Sequence, residues 1–428
     1  MYERAGSFNC KKVEYRVGDM KLFLKKSPFA LFSSLFISKV GDYAYEVVFV
    51  LLVLEVTDNA FLIGLVYFFR FIPFLFFGPI GGWFADNFSL KKNMICSEVV
   101  RLFAAFFVFI TTITGTDHII VLILAAIGTT IGRSIFQPSF QAAILKMFAI
   151  KDLTKANSLA QIINEIAAVI GPLVCSLLLL FANKSTVLIF DFLTYFISII
   201  LLLNLMNLNA SGTQSFNFIK IYRETASYLK AISTENNNLL ITLIGSAFAI
   251  LFTGAILRFL IPAFVLSIGA EESFVSSLFS LMAVGTIVGG LFYHKMIVNV
   301  TSLKLMIFWL LYGSILFVMP LAAILSLKFL LVFAFVLGFT GAFVDISLVS
   351  ALQLYSRRED FGKSFGTFST LANSAEAVSG LIAGLFALVG LMSSFLAMSA
   401  FIILTGMTGV IKIKKSKMLT PPSHDSRE

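Results

Sequence analysis

Lys39, Asp42 and Glu46 follow one another at intervals of three and four residues, which places all three on one stripe of a helix. The run that carries them is otherwise apolar, and an ionisable group near a bilayer centre costs about 2.5 kcal/mol or more. Asp42 lies about fourteen residues into that run, roughly 21 Å along a helix. An apolar wall favours the neutral acid and a nearby ammonium favours the carboxylate, so small rearrangements could load and release a proton. Asp42 is therefore the first candidate proton carrier, Glu46 the alternative, and Lys39 the group that tunes them. A fixed Lys39–Asp42 pair that holds the helix in register would use the same residues.

Other charges also fall inside apolar runs: Arg70, Glu98, Arg101, Arg133, Glu165, Asp191, Arg258, Asp345 and Glu376. Arg133, Gln137 and Gln141 recur every fourth residue and share a helix face. Glu98 and Arg101, three apart, can satisfy one another and read as structural. For each of the rest, a binding role competes with an ion pair joining neighbouring helices.

The elements that must position these groups are membrane helices. Of 428 residues, 58% are apolar, 48 are Phe and only 13% are charged, where a soluble domain carries roughly 25%. Mean hydropathy is +0.95. A water-soluble enzyme cannot hide that much hydrocarbon. Hydropathy and polar breaks predict spans at 28–55, 61–85, 93–114, 118–145, 157–182 and 187–206, then at 239–267, 273–293, 305–326, 329–352, 364–388 and 391–411. The expected organisation is a segment 1–27, a six-helix bundle 28–206, a linker 207–238, a second bundle 239–411 and a tail 412–428. No cleavable leader is expected, because the first apolar run is too long for one.

Lys and Arg are distributed unequally over the loops. Twenty-five lie in the termini, the linker and the alternate loops 86–92, 146–156, 294–304 and 353–363, while the opposite loops hold only Lys184 and Lys328. That asymmetry places both termini in the cytoplasm and accounts for most of the net charge of +9 without nucleic acid. Cys10, Cys96 and Cys175 form no CxxC pair, and His118, His294 and His424 are scattered, so neither a metal site nor a disulfide framework is expected. Gly362-Lys363-Ser364 copies the end of a phosphate-binding loop, but Arg357 stands where its first Gly is required. With no soluble nucleotide domain, ATP is not the expected energy source. No HExxH or GxSxG constellation is present, and the chain is not expected to be an enzyme or to carry a cofactor.

In the linker, Ile219, Tyr222, Ala226 and Leu229 recur at helical spacing, with Lys220, Arg223 and Lys230 on other faces. This fits either a short helix on the inner leaflet or a solvated connector. The halves echo one another. Gly81-Gly82-Trp83-Phe84-Ala85-Asp86, ending the second span, is echoed 208 residues on by Gly289-Gly290-Leu291-Phe292-Tyr293-His294, and Ala168-Val169-Ile170-Gly171 is echoed 209 residues on by Ala377-Val378-Ser379-Gly380. Parallel repeats of six helices are the organisation expected of a rocking secondary transporter.

The loop Gly82-Trp83-Phe84-Ala85-Asp86-Asn87-Phe88-Ser89-Leu90-Lys91-Lys92 resembles a signature of the major facilitator superfamily, with Asn87 and Ser89 replacing the usual Arg and Gly. Gly41-Asp42, Pro73, Gly78-Pro79, Gln137-Pro138-Ser139, Ala156-Asn157 and Gly171-Pro172 resemble the branch that contains macrolide efflux pumps and the enterobactin exporter. The resemblance implies an all-α membrane protein of twelve transmembrane helices in two pseudo-symmetric six-helix bundles. It implies a central cavity lined by Arg133, Gln137, Gln141, Arg258 and Asp345, whose two arginines would suit an anionic or strongly polar group. It implies gating by Gly82, Asp86, Lys91 and Lys92. It also implies an antiporter-like bend at Gly171-Pro172 near the interface of the halves, with Cys175 and Ser176 replacing the glycines that usually follow. Roles for Arg70, Glu165, Asp191 and Glu376 stay open.

The expected function is secondary active transport, as a proton-coupled exporter of a small amphipathic compound such as a drug, macrolide or siderophore. The alternatives are an importer or lipid flippase on the same scaffold, and from a different class a membrane-embedded enzyme or receptor. The expected partners are a small-molecule substrate, protons and membrane lipids, with the chain monomeric in a bacterial inner membrane.

Overall fold

The computed structural model describes residues 25–57, 60–116, 118–208, 216–270, 272–297 and 299–419. Cys10 and His424, with most of the expected N-terminal segment and tail, lie outside the described residues. Among the described residues every regular element is helical, as an apolar solvent demands: a helix satisfies its own backbone groups. The order begins α1 (Lys26–Val56), α2 (Ala60–Asn87), α3 (Leu90–Thr114), α4 (Ile119–Met147), α5 (Leu153–Phe181) and α6 (Lys184–Leu203). After the linker helix α7 (Phe218–Glu235) come α8 (Asn237–Ala255), a π turn (Ile256–Leu260) and α9 (Ile261–Ser267). The chain continues through α10 (Glu272–Met296), α11 (Ser302–Leu325), α12 (Leu327–Tyr355), α13 (Phe361–Ala387) and α14 (Leu391–Leu419).

Helix limits follow local chemistry. The side chains of Asn183, Asn236 and Thr301 accept the N–H groups of Thr186, Leu239 and Lys304 and so start α6, α8 and α11. Gly115, at φ 65°, ends α3. Among the described residues nine helical stretches are long and apolar enough to cross a membrane. Their outward faces carry exposed side chains such as Phe103, Ile120, Leu180 and Leu385, an apolar belt suited to lipid.

Within the first six helices, α1 packs on α5 and α6, α4 on α2 and α3, and α3 on α6. In the second set α12 packs on α10 and α11, and α8 on α13 and α14. The two sets meet where α2 lies along α13 and where α5 lies along α10 and α12. The α2–α13 seam depends on small residues: a Cβ on Gly82 would fall on the carbonyl of Gly362, and one on Gly366 would lie 2.9 Å from the Cα of Gly82.

The linker contains the helix α7, and its contacts differ from the expected face. Ile221 and Ile232 are buried, whereas Ile219 and Ala226 are exposed and Tyr222 and Leu229 are half-buried. The Tyr222 hydroxyl donates to the carbonyl of Phe76 in α2, while Glu224 lies 3.6 Å from Lys363 of α13. The helix thus touches both sets of helices, which its amphipathic pattern alone did not reveal.

Candidate functional site

Between the two sets of helices lies a cavity of about 750 Å³. The first set lines it with Lys39, Tyr43, Arg101, Arg133, Gln137, Gln141, Gln161, Asn164 and Glu165, and the second with Arg258, Trp309, Tyr312, Asp345, Asn373 and Glu376. The residues expected from sequence to line a cavity are thereby brought together. Gln161 and Asn164, which the sequence reading passed over, join them; the spacing of Gln161 four residues before Glu165 was the available signal.

Asp42 is almost fully buried and is the hub of a charge network on the cavity's first wall. The guanidinium of Arg101 donates to it, as does the Tyr195 hydroxyl at 2.7 Å. Lys39 and Arg133 each stand 3.6 Å away. Arg101 also donates to Glu98 at 3.1 Å, and Ser198 donates to the other Glu98 oxygen at 3.0 Å. The expected local Glu98–Arg101 pair therefore exists, but Arg101 is shared with Asp42 on another helix. Its guanidinium lies 4.5 Å from the centre of the Tyr195 ring, an arrangement that favours the cation. Glu46 accepts from Arg70 and lies 3.4 Å from Arg133. Both carboxylates of the α1 stripe thus face guanidinium groups.

On the second wall Arg258 donates to Glu376. Arg258 sits in the π turn, four residues before Pro262, which lacks the N–H that would bond the carbonyl of residue 258. Glu165 and Asp345 come from opposite sets of helices, and one amide spans them: Gln161 donates to Glu165 at 3.0 Å and to Asp345 at 3.2 Å.

One end of the cavity is sealed by polar contacts between the sets. Asn157 donates to Gln353 at 2.7 Å and to Ser350 at 2.9 Å. Asp86 accepts the backbone N–H groups of Gly362 and Lys363 at 2.6 and 2.8 Å, at the first turn of α13. Its carboxyl, just past the expected span, is pushed up to about 7 by burial, against which those two hydrogen bonds act.

Two expectations change on the structure. Lys91 was expected at the gate, but its ammonium donates to the carbonyls of Leu203 and Leu205 at 2.7 and 2.9 Å, so it ties α3 to the end of α6 within one set; Lys92 is exposed. Gly171, expected near the interface of the halves, packs against α1, where a Cβ would lie 2.9 Å from the Val40 carbonyl. Pro172 lies inside α5 beside that contact. Asp191 is fully buried on α6.

A family described as transmembrane secretion effectors matches residues 24–425. No curated protein matches by sequence. Among solved structures, a bacterial homologue of the iron transporter ferroportin in its outward-facing state is similar at 14% identity. It covers 91% of this chain and 99% of its own, with a TM-score of 0.72. The human organic anion transporter MFSD10 (TETRAN) is similar at 14% identity, 90% and 99% coverage and a TM-score of 0.73. The E. coli fucose:proton symporter FucP is similar at 13% identity, 89% and 98% coverage and a TM-score of 0.69. At these identities the likeness is one of fold.

Proposed function

The chain belongs to the transmembrane secretion effector family of major facilitator transporters, and from that premise we propose that it is a proton-coupled exporter of a small amphipathic compound. The cavity between the two sets of helices, lined by titratable groups from both, carries this reading. Rocking one set against the other would expose that cavity to each side in turn. The polar seal at the end bearing loops 86–92 and 353–363 supports an outward-facing state, with those loops, both termini and the basic linker on the cytoplasmic side of a bacterial inner membrane.

Proton coupling is ascribed to the cluster of Lys39, Asp42 and Glu46. Each carboxylate there has an arginine partner, so taking up a proton requires a guanidinium to leave, which is the kind of exchange that links protonation to helix movement. Asp86 acts as the gate with Gly82, and Gly171 and Pro172 set the close packing of α5 on α1.

The charge balance of the cavity points to the substrate. Arg133 and Arg258, expected to suit an anionic or strongly polar group, both face carboxylates, whereas among the described residues Glu165 and Asp345 share the Gln161 amide and no cation. The balance supports a cationic group on the compound, held between the two sets with Tyr312 and Trp309 at hand for its apolar part. Purified protein in liposomes, given an imposed pH gradient and a lipophilic amine dye, tests the reading: export requires dye movement coupled to opposite proton movement. Uptake with the proton instead would favour an importer.

A further inference from the structure

Asp191 lies on α6 with no exposed surface, and among the described residues neither carboxyl oxygen has a hydrogen-bond partner. Burial without a hydrogen bond to replace the lost water opposes an ionised carboxylate. Its neighbours are defined. A Cβ on Gly41 would lie 2.7 Å from its Oδ1, so Asp191 rests against the residue preceding Asp42. From α1 it faces Asp42 and the Tyr45 phenol, whose hydroxyl is likewise unpartnered. From α3 it faces Glu98 and Arg101, from α4 Arg133, and from its own helix Tyr195; Cys175 of α5 lies in the adjoining apolar layer.

Two carboxyl groups of like chemistry thus flank one cluster and differ in what they hold. Asp42 holds the Arg101 guanidinium; among the described residues Asp191 has no hydrogen-bond partner. Arg101 stacks on Tyr195, one turn beyond Asp191 on the same helix, so the ring that holds the guanidinium belongs to the helix that carries Asp191.

We propose that Asp191 carries a proton in this conformation and that Asp191 and Asp42 exchange it for the Arg101 guanidinium. In the exchange the O–H bond on Asp191 breaks as the guanidinium arrives, and an O–H bond forms on Asp42 as the guanidinium leaves; the arginine stays charged and the cluster's net charge is unchanged. Lys39, Arg101 and Arg133 line the cavity and surround Asp42, so Asp42 lies one side chain behind the cavity wall, and Asp191, resting against Gly41, is the deeper store. This rests on the proton-coupled reading above and names the group that holds the proton while Asp42 is paired.

Infrared spectra of the purified full-length protein at neutral pH, in H₂O and D₂O without substrate, test it. The wild type is expected to show a protonated-carboxyl carbonyl band that Asp191→Asn removes. Asp42→Asn, which frees Arg101 to pair with Asp191, is expected to weaken that same band. A band unaffected by Asp191→Asn overturns the proposal, and so does one undiminished in folded Asp42→Asn protein. Should Asp42→Asn not fold, melting decides: Asp191→Asn replaces a neutral group by one of the same shape and is expected to melt with the wild type, whereas a marked fall overturns the proposal. The spectra need no transport, so failure of the proton-coupled reading shows separately, as wild-type liposomes whose flux ignores a pH gradient while the band persists.

Discussion

Asp86, at the end of α2, accepts the backbone N–H of Gly362 at 2.6 Å and thereby caps the first turn of a helix in the other half of the molecule. The adjacent N–H of Lys363 goes to its second oxygen. An uncapped helix start leaves these donors unsatisfied, so one side chain joins the halves where their backbones come closest. Asp86→Ala is expected to weaken the closed arrangement by about 1–2 kcal/mol, seen as a longer distance between spin labels on the 86–92 and 353–363 loops.

The same contact responds to pH. The buried Asp86 carboxyl has its pKa raised to about 7, whereas in an opened, hydrated loop it returns to the ordinary range of about 4. Closure therefore takes up a proton: its stabilisation is complete below the ordinary value and is lost as pH rises through about 7. The labelled distance is expected to lengthen between pH 5 and 8 in the wild type and to lose that dependence in Asp86→Asn.

Gly82 has no room for a side chain. A Cβ there would collide with the Gly362 carbonyl, and overpacking of this kind costs roughly 1–3 kcal/mol. Gly82→Leu is expected to force α2 and α13 apart and populate the opened state, while Gly128→Leu, where a Cβ would meet the Ala104 Cβ of the same set of helices at 3.3 Å, is expected to leave the distance between the loops unchanged.

Arg101 is 2% exposed and serves two carboxylates, Asp42 and Glu98. Arg101→Gln leaves Glu98 without its guanidinium partner, while Asp42 keeps Arg133 and Lys39 at 3.6 Å, and losing one member of a buried pair costs about 3–5 kcal/mol. A large drop in melting temperature is expected, with partial recovery in Arg101→Gln/Glu98→Gln, which removes the stranded charge.

The helices were legible in the sequence because polar residues interrupt the apolar runs. The expected span 187–206 begins three residues late because Asn183 caps the helix at Lys184, and it runs three residues past Leu203, where α6 ends. The partners of the charges were not legible. Arg101 lies 59 residues from Asp42, and nothing in either segment states how their helices are rotated; the local Glu98 was the only visible partner. Asp191, Tyr195 and Ser198 follow at four and three residues, a stripe that could have marked the α6 face turned to this cluster. The charge balance of the cavity depends on Arg258 reaching Glu376 across 118 residues, which spacing alone does not encode.

A cationic group in the cavity would lie between Glu165 and Asp345. Removing a charged hydrogen-bond partner costs about 1.5–3 kcal/mol, so Glu165→Gln and Asp345→Asn are each expected to weaken binding of a lipophilic amine roughly 10- to 150-fold by that amount. Fluorescence titration of the purified variants reads the change directly, and a neutral analogue of the amine is expected to bind all three proteins alike.

Gradient-driven flux in liposomes decides whether the protein exchanges its substrate for protons. Purified protein in liposomes, with an imposed pH gradient and no ATP, is expected to move a lipophilic amine against its concentration while protons run the other way, and Asp42→Asn is expected to abolish the response to the gradient. Amine movement indistinguishable from protein-free liposomes, or wild-type flux that is the same with and without the gradient, would contradict the account.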